Sequence, residues 1–448
     1  MSSAILNAQA SSAVVATVNS SSGLVEPFVY QETGRLTSPG AVQLLNVPSD
    51  NAAVTPGRSH SFSIPKNGLL TGMWLELNME SPGADAATAD ITTDAQTEDT
   101  DGNLTLNTND TKGLSATGLY GLISSARIET SGRIIEELDL HSILSRISDL
   151  SYGERRAVEQ AASMAGNPGR YGAAYKKCIW LPFYFNAEHP GGGDPRYAWN
   201  SLFNEPLRCV ITLSDCKVLY KPTGNDNTAD SYKQFAEHKP SQMDLLCKYH
   251  VPSDAAMDAI VNKNYGSGML SQLVSVMRPE ADFSFTDGAN AGTVTSTVDL
   301  KTNEAIEKIY FMATREEEDA GGNTYASVLK NQAPLEIETV ELKFNNSSVF
   351  ACPGEWVKHF GRVGGHGDGT DASFANSMQY VYCLDFATIR GTGTSGIIAT
   401  RELSNPQLVL GVRTAGGTKS HKIHVRYSTK AFLTTNANSG RVSLSISS

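Results

Sequence analysis

Apolar residues along this chain alternate with polar ones, or form short runs rich in Val, Ile, Tyr and Phe that end at clusters of Gly, Pro, Asn and Ser. A period of two places successive side chains on opposite faces of a strand, and turn residues mark its ends. The pattern predicts strands at Ser61–Ile64, Leu69–Asn78, Leu122–Thr130, Arg133–Leu138, Lys177–Phe185, Leu207–Leu213, Met269–Met277, Ala305–Ala313, Leu335–Phe344, Gln379–Phe386, Gln407–Val412 and Lys422–Leu433. The chain is therefore predicted to be all-β.

Helical patterns occur only in short insertions between the predicted strands. They lie at Ser142–Leu150, Gly153–Met164, Ser253–Val261 and Gly354–Phe360, the last beside Pro353, a residue type favoured in the first helical turn. The connections between strands are long, and compact domains keep long loops mainly where they serve a function.

The longest connection, the acidic loop 81–111, follows a stretch that also lacks basic residues. There is no Lys or Arg from Asn67 through Thr111, whereas acidic residues accumulate at Asp85, Asp90, Asp94, Glu98, Asp99, Asp101 and Asp110. Asp99–Asn103 suggests a calcium loop, but with Gly102 at the sixth position an EF-hand would need Asp and Glu where Thr97 and Thr108 stand. The sequence favours a solvated acidic surface loop.

A weak internal repeat relates the two halves of the chain. Cys178–Phe185 and Pro206–Leu213 correspond to Met378–Asp385 and Pro406–Val412, and Ala126–Glu136 corresponds to Val340–Phe350. Two copies of a strand-rich unit of about 200 residues follow, each large enough to be a domain. Many short strands, long connections and a helical insertion near the middle are typical of jelly-roll sandwiches.

These observations predict two tandem eight-stranded jelly rolls, a double jelly roll with short helical insertions and long loops. The predicted organisation is an N-terminal arm at 1–34, a first jelly roll at 35–221, a linker at 222–239 and a second jelly roll at 240–448. The linker is placed where the chain is polar and rich in turn residues.

Charge restricts the function classes. The 448 residues include 36 Lys and Arg against 47 Asp and Glu, a formal net charge of −11, and the arm 1–34 has no Lys or Arg. A protein that coats nucleic acid directly needs a basic footprint, so no direct nucleic-acid binding is expected. The first residues lack the basic and apolar regions of a signal peptide, so we expect synthesis inside the cell without secretion through a signal peptide.

The six cysteines include no C-x-x-C pair. Cys178, Cys209, Cys247 and Cys383 lie inside apolar runs that are predicted to be strands, whereas Cys216 and Cys352 do not. Buried free thiols are therefore favoured over a disulfide or zinc framework.

Candidate catalytic, cofactor-binding and metal-binding groups are weak, and no enzyme activity or cofactor is expected. His366 and Asp368 lie in the glycine-rich stretch 361–369, which indicates a loop rather than a metal site. His421 and His424 are three apart on a predicted strand, so they should point to opposite faces. Gly391–Gly396 lacks the ending of a phosphate-binding loop.

Two further signatures of catalysis are also missing. The run Glu316–Asp319 is contiguous, whereas paired catalytic carboxylates need two opposed environments. The sequence contains no G-x-S-x-G motif for a hydrolase serine.

Four stretches resemble the double jelly-roll major capsid proteins of icosahedral double-stranded DNA viruses, especially nucleocytoplasmic large DNA viruses and their smaller relatives. Gly121–Ile135 is similar to the family's strand, glycine turn and strand, and Leu181–Asn186 with Pro206–Leu207 is similar to its "LPFFF" strand and the strand after it. The other two stretches are Tyr380–Phe386 with Thr394–Gly396 and Leu403–Asn405, and the terminal strand Ile423–Leu433. They cover most of the chain in the family's order.

Three positions depart from the family pattern and favour a diverged relative. Thr394 stands where the family has Pro, Ala399 where it has Asn, and Asn436–Gly440 where it has a "GMGG" sequence.

The resemblance implies a structural protein of the virion. Such proteins form homotrimers whose six jelly rolls make a pseudohexagonal capsomer, and capsomers tile the icosahedral shell. Expected partners are further copies of this chain, neighbouring capsomers, minor capsid proteins, a penton protein and an internal membrane beneath the shell.

Two alternatives remain open at the level of sequence. One is a receptor-binding or minor virion protein. A carbohydrate-binding tandem β-sandwich would need an aromatic platform, yet the four tryptophans, Trp74, Trp180, Trp199 and Trp356, are scattered along the chain.

Overall fold

Antiparallel strands form most of the computed structural model. The residues that the structure describes are 40–51, 53–79, 117–130, 132–150, 152–162, 175–186, 205–214, 240–253, 269–300, 305–316, 333–360, 381–386, 397–399, 405–414, 416–436 and 441–446, with short pieces at 97–98, 104–105, 113–114 and 220–221 and the single residues 164, 198 and 403. The predicted arm 1–34, the linker 222–239 and nearly all of the acidic loop 81–111 lie outside these residues.

In its described residues, the first half contains twelve strands, two α-helices and one 3-10 helix. The strands are β1 (Gly40–Pro48), β2 (Ser59–Ile64), β3 (Leu69–Met79), β4 (Thr97–Glu98), β5 (Leu104–Thr105), β6 (Gly113–Leu114), β7 (Ile123–Thr130), β8 (Arg133–Asp139), β9 (Tyr175–Trp180), β10 (Leu207–Leu213), β11 (Tyr220–Lys221) and β12 (Pro240–Pro252). Helices α1 (Leu140–Ser148) and α2 (Tyr152–Ala161) lie between β8 and β9, and the 3-10 helix Gly118–Leu122 precedes β7.

The second half contains a similar series with one described helix. Its strands are β13 (Met269–Pro279), β14 (Phe283–Thr286), β15 (Gly292–Asp299), β16 (Ala305–Glu316), β17 (Ala333–Leu335), β18 (Ile337–Phe344), β19 (Ser347–Pro353), β20 (Tyr382–Asp385), β21 (Ile398–Ala399), β22 (Gln407–Thr414), β23 (Ser420–Asn436) and β24 (Val442–Ile446). Helix α3 (Gly354–Phe360) follows β19.

The main strands of each half form two sheets, and the strand order of these sheets is the same in both halves. In the first half the sheets run β1-β12-β3-β9 and β2-β10-β7-β8. In the second half they run β13-β23-β16, with β20 paired to β16, and β15-β22-β18-β19. If the eight main strands of each half are numbered along the chain, both halves show the orders 1-8-3-6 and 2-7-4-5, which is the jelly roll. The prediction of two tandem eight-stranded jelly rolls is confirmed.

Strand β12 corrects the predicted start of the second roll at residue 240. It lies between β1 and β3, with Cys247 opposite Leu45 and Leu245 opposite Leu75, and is thus the eighth strand of the first roll. Its buried side chains Met243, Leu245, Cys247 and Tyr249 alternate along the strand and pack into the first-roll core. The first roll therefore extends to Pro252.

The repeat seen in the sequence is a pair of hairpins with one register. In β7–β8, Ile128 pairs with Glu136 and a bulge follows before Glu129 pairs with Ile134. In β18–β19, Leu342 pairs with Phe350 and a bulge follows at the same place. Both turns need positive φ, which Gly132 supplies in the first and Asn345 and Asn346 in the second.

The core of the first roll continues into the second roll. One cluster of buried side chains contains the interior of the first roll together with Val276 and Met277 of β13 and Tyr310 and Met312 of β16. The second cluster fills the second roll itself. The sheet β13-β23-β16 is thus covered on both faces, which explains the nearly continuous burial along β23.

The remaining local predictions have the following outcomes. Helices α1, α2 and α3 match three predicted helical segments, whereas 254–261 of the fourth lies outside the described residues. Cys209, Cys247 and Cys383 are buried thiols, Cys178 and Cys352 are partly buried thiols, and Cys216 is not described. Within the described part of the chain, the helices are too short or too polar to span a bilayer.

Candidate functional site

A buried region rich in charged side chains lies where helix α1 of the first roll packs against the sheet of the second roll. Strand β8 and helix α1 pack against β13 and β23. Helix α1 begins at the N-cap Asp139, whose Oδ1 accepts hydrogen bonds from Ser142 N at 2.8 Å and Ser142 Oγ at 2.6 Å. We call this region, built on β8, α1, β13, β16 and β23, the inter-roll joint.

Asp139 forms a bidentate ion pair with Arg426 of β23. Arg426 Nε lies 3.1 Å from Asp139 Oδ1 and 2.9 Å from Oδ2, and Arg426 Nη2 also contacts Oδ2. The same guanidinium reaches Asp282 Oδ1 at 3.1 Å and the carbonyl oxygen of Glu280 at 3.1 Å. Burial acts to raise the pKa of Asp139, but the charge and hydrogen bonds of Arg426 outweigh it and lower that pKa to about 2. Helix α1 is therefore anchored to the second roll at its N-cap.

A buried carboxylate links β8 to the backbone of β13. Glu136 Oε1 accepts the Met277 N–H at 2.8 Å and lies 3.3 Å from Arg146 Nη2, while Oε2 accepts the Tyr184 N–H at 2.7 Å. Arg146 in turn donates to the carbonyl oxygen of Ser275 at 2.7 Å. Burial raises the pKa of Glu136 despite these partners. Side chains of the first roll thus satisfy main-chain groups of the second.

The C-terminal end of α1 carries the negative charge of Asp149, which the helix dipole disfavours. Asp149 is the C-cap, where the helix dipole is unfavourable for an anion. Lys308 Nζ lies 3.1 Å from Asp149 Oδ2, and Tyr310 Oη donates to the same oxygen. Burial acts to lower the pKa of Lys308, but Asp149 and other nearby groups raise it overall. The C-terminus of α1 is therefore anchored to β16 of the second roll.

Two histidines stack across the joint. The rings of His141 and His424 have centroids 3.6 Å apart and planes inclined by 19°. His424 Nε2 lies 2.8 Å from Thr314 Oγ1, and His424 Nδ1 lies 2.8 Å from Asp282 Oδ1. Burial, and after it the neighbouring His424, hold the pKa of His141 well below its usual range.

The prediction that His421 and His424 face opposite ways is confirmed. His421 Nε2 lies 3.1 Å from Asp287 Oδ2, and its ring centroid is 5.1 Å from that of Phe285 in the second-roll core. His424 instead faces the first roll. The two imidazoles cannot share a metal ion.

The other weak candidates from the sequence fall largely outside the described residues. These are the stretch 361–369, Gly391–Gly396, Glu317–Asp319 and the calcium alternative apart from its strand pieces. Among the residues that are described, no group of three or more His, Cys, Asp or Glu side chains is placed to hold a metal ion.

Sequence reasoning missed the charged residues of the joint. Glu136 follows Ile134 and Ile135 on β8, and Arg426 lies between Val425 and Tyr427 on β23. A charged residue next to apolar residues of a strand was the available signal, since such a side chain must find a partner if the strand is buried. Which partner it finds depends on the fold.

Two jelly rolls of one topology, fixed together by a buried ionic joint, define a double jelly-roll protein. No family model and no curated protein sequence matches the chain.

Solved structures with this fold are similar over nearly the whole chain. VP54 of PBCV-1, fitted into a reconstruction of the virophage Sputnik, has a TM-score of 0.63 at 14% identity, covering 94% of this chain and 99% of that chain. The Faustovirus major capsid protein has a TM-score of 0.57 at 11% identity, covering 100% and 99%. The mavirus major capsid protein has a TM-score of 0.53 at 11% identity, covering 90% of each. The chain shares their double jelly-roll fold.

Proposed function

We propose that this chain is the major capsid protein of an icosahedral double-stranded DNA virus. Three copies form a capsomer of six jelly rolls, and capsomers tile the virion shell. The likeness to the Faustovirus and mavirus major capsid proteins at TM-scores of 0.57 and 0.53 supports this proposal.

The observation that carries the proposal is the inter-roll joint. A ring of six similar rolls can be built from three chains only if each chain holds its two rolls at one fixed angle. The bidentate pair of Asp139 with Arg426 and the anchoring of Asp149 by Lys308 fix both ends of α1 against the second roll. The joint supplies the rigidity that a shell tile requires.

The proposed role requires no catalysis, and we infer that the protein is not an enzyme. Its location is the virion. We further propose minor capsid proteins, a penton protein and an internal membrane as neighbours. The net charge of −11 and an arm 1–34 without Lys or Arg support a shell that does not bind the genome directly.

The carbohydrate-binding alternative is weakened by the position of two tryptophans. They are less scattered than the sequence suggested, because Trp74 and Trp180 pair across β3 and β9. Trp180, however, packs against the first-roll core, and the Trp74 ring lies close over Gly72. Both rings are half-buried, so they do not form an exposed platform.

The test is the mass and shape of the full-length protein in solution. Light scattering after size exclusion should give three times 48.0 kDa, and negative-stain images should show a hexagonal outline. A monomer of 48.0 kDa at all concentrations, with or without glycan binding, would overturn the proposal.

A further inference from the structure

Helix α3 and strand β19 of the second roll are the counterparts of α1 and β8 of the first. The two hairpins share one register, so Phe350 takes the place of Glu136. Each hairpin leads directly into its helix, α1 after β8 and α3 after β19. The second roll therefore repeats the elements with which the first roll contacts its neighbour.

The side chains on these counterparts are apolar, and two of them are exposed to solvent. Val349 is 54% exposed and Trp356 is 48% exposed, and the Trp356 ring centroid lies 6.3 Å from that of the half-buried Phe350. We call Val349, Phe350 and Trp356 the helix face. In the first roll, the corresponding elements β8 and α1 contact strands β13 and β23 of the second roll of the same chain.

The counterpart of the receiving sheet is also exposed. In the joint, α1 and β8 pack on β13 and β23, whose equivalents in the first roll are β1 and β12. Val42 and Leu44 of β1 are 65% and 58% exposed, and the period of two places them on one side of the sheet. Lys248 of β12 lies opposite Leu44 on that side. We call Val42, Leu44 and Lys248 the sheet face.

We propose that the helix face of one copy packs against the sheet face of a second copy, repeating between chains the joint that each chain contains within itself. This inference rests on the proposed function, since it assigns the contact that closes the trimer. The contact is head-to-tail, so every copy uses both faces and the ring closes when each face is occupied.

The composition of the two faces suits association of separate chains. Burial of apolar surface drives association, and aromatic side chains such as Trp356 are typical anchors of protein interfaces.

The test uses one full-length variant for each face. Trp356→Glu alters the helix face, Leu44→Glu alters the sheet face, and Ile397→Glu is the matched control, because Ile397 is 45% exposed and belongs to neither face. We expect the wild type and the control to give three times 48.0 kDa by light scattering, and each face variant alone to give 48.0 kDa. Circular dichroism and the urea midpoint verify folding, and Val349→Glu replaces Trp356→Glu if that variant unfolds.

Mixing the two face variants distinguishes a head-to-tail contact from other arrangements. The intact helix face of Leu44→Glu can occupy the intact sheet face of Trp356→Glu, but no further contact is possible. An equimolar mixture should therefore give a complex of twice 48.0 kDa. Trimers from either face variant, or a mixture that stays monomeric, would overturn the inference and leave the proposed function standing if the wild type is a trimer. A monomeric wild type would overturn both.

Discussion

The inter-roll joint and the helix face show two uses of one backbone arrangement. Both consist of a bulged hairpin followed by a helix, in the same register. The first is buried and ionic, with Glu136 and Asp139 at its centre, whereas the second is exposed and apolar, with Phe350 and Trp356. The ionic arrangement forms a permanent contact within one chain, whereas the apolar arrangement leaves a surface to which a partner can bind.

The physical reason lies in how each contact forms. Burying a charge pair costs desolvation, and the attraction compensates for it only when the geometry is excellent. The joint forms within one chain, where Arg426 meets Asp139 with two nitrogen–oxygen distances of about 3 Å. A contact between separate chains must also offset lost translational freedom, for which apolar burial is better suited.

Of the changes considered, removal of the Arg426 side chain should reduce the stability of the protein most. Arg426→Met leaves Asp139 and Asp282 without their shared cation, and we expect the free energy of unfolding to fall by about 3 kcal/mol. Urea unfolding followed by fluorescence measures this loss. The control is Arg413→Met, since the exposed pair of Arg413 with Glu336 at 3.7 Å should contribute less than about 1 kcal/mol.

A double variant separates the charge from the packing of Arg426. Asp139→Ser keeps an N-cap acceptor for Ser142 but removes the anion. If the unpaired charge causes the loss, Asp139→Ser combined with Arg426→Met should be more stable than Arg426→Met alone. A double variant that is less stable than the single one would contradict this explanation.

Gly354 allows helix α3 to lie close to strand β18 of the same roll. A Cβ at this position would lie 1.7 Å from the carbonyl oxygen of Ile337, so Gly354→Ala must displace α3. We expect a loss of about 1–3 kcal/mol in the free energy of unfolding and a weaker trimer, because the helix face moves. Gly153→Ala in α2 is the control, since nothing lies within 4 Å of its Cβ. Equal stability of the two variants would show that α3 adapts without cost.

The smallest expected effect concerns pH and His141. Its pKa is lowered in the folded protein, so below pH 6.5 the unfolded chain takes up a proton that the folded chain does not. Stability is therefore lost as pH falls below about 6.5, by up to about 1.4 kcal/mol per pH unit. The groups facing His141 are His424, Asp139, Arg426 and Asp282, and the two carboxylates have lowered pKa values and stay charged in this window.

His141→Gln isolates this contribution. The variant should lose less stability than the wild type between pH 7 and pH 5, measured as urea midpoints at each pH. If the urea midpoint of His141→Gln changes with pH as much as that of the wild type, the pH dependence arises from groups other than His141.

Much of the fold was predictable because strand periodicity and turn residues are local properties. The duplication was visible in Ala126–Glu136 and Val340–Phe350, which the structure places in equivalent hairpins. Strand β12 was missed as part of the first roll because the polar stretch before it was interpreted as the domain boundary. Its partners β1 and β3 are distant in sequence, so only the folded chain shows the pairing.

The joint could not be predicted because its partners are distant along the chain. Asp139 and Arg426 are 287 positions apart, and Lys308 and Asp149 are 159 positions apart. The sequence shows that Glu136 and Arg426 are charged residues next to apolar residues of a strand, but local patterns carry no information about which strands pair or pack together.

Strand β12 also sets an order of events during synthesis. The first roll cannot complete its sheet until residue 252 has left the ribosome, because β12 fills the gap between β1 and β3. Its core is then still open, since Met277, Tyr310 and Met312 cover part of it. A nascent chain that pauses between residues 252 and 312 would expose apolar surface, so we expect slow translation through this window to favour aggregation.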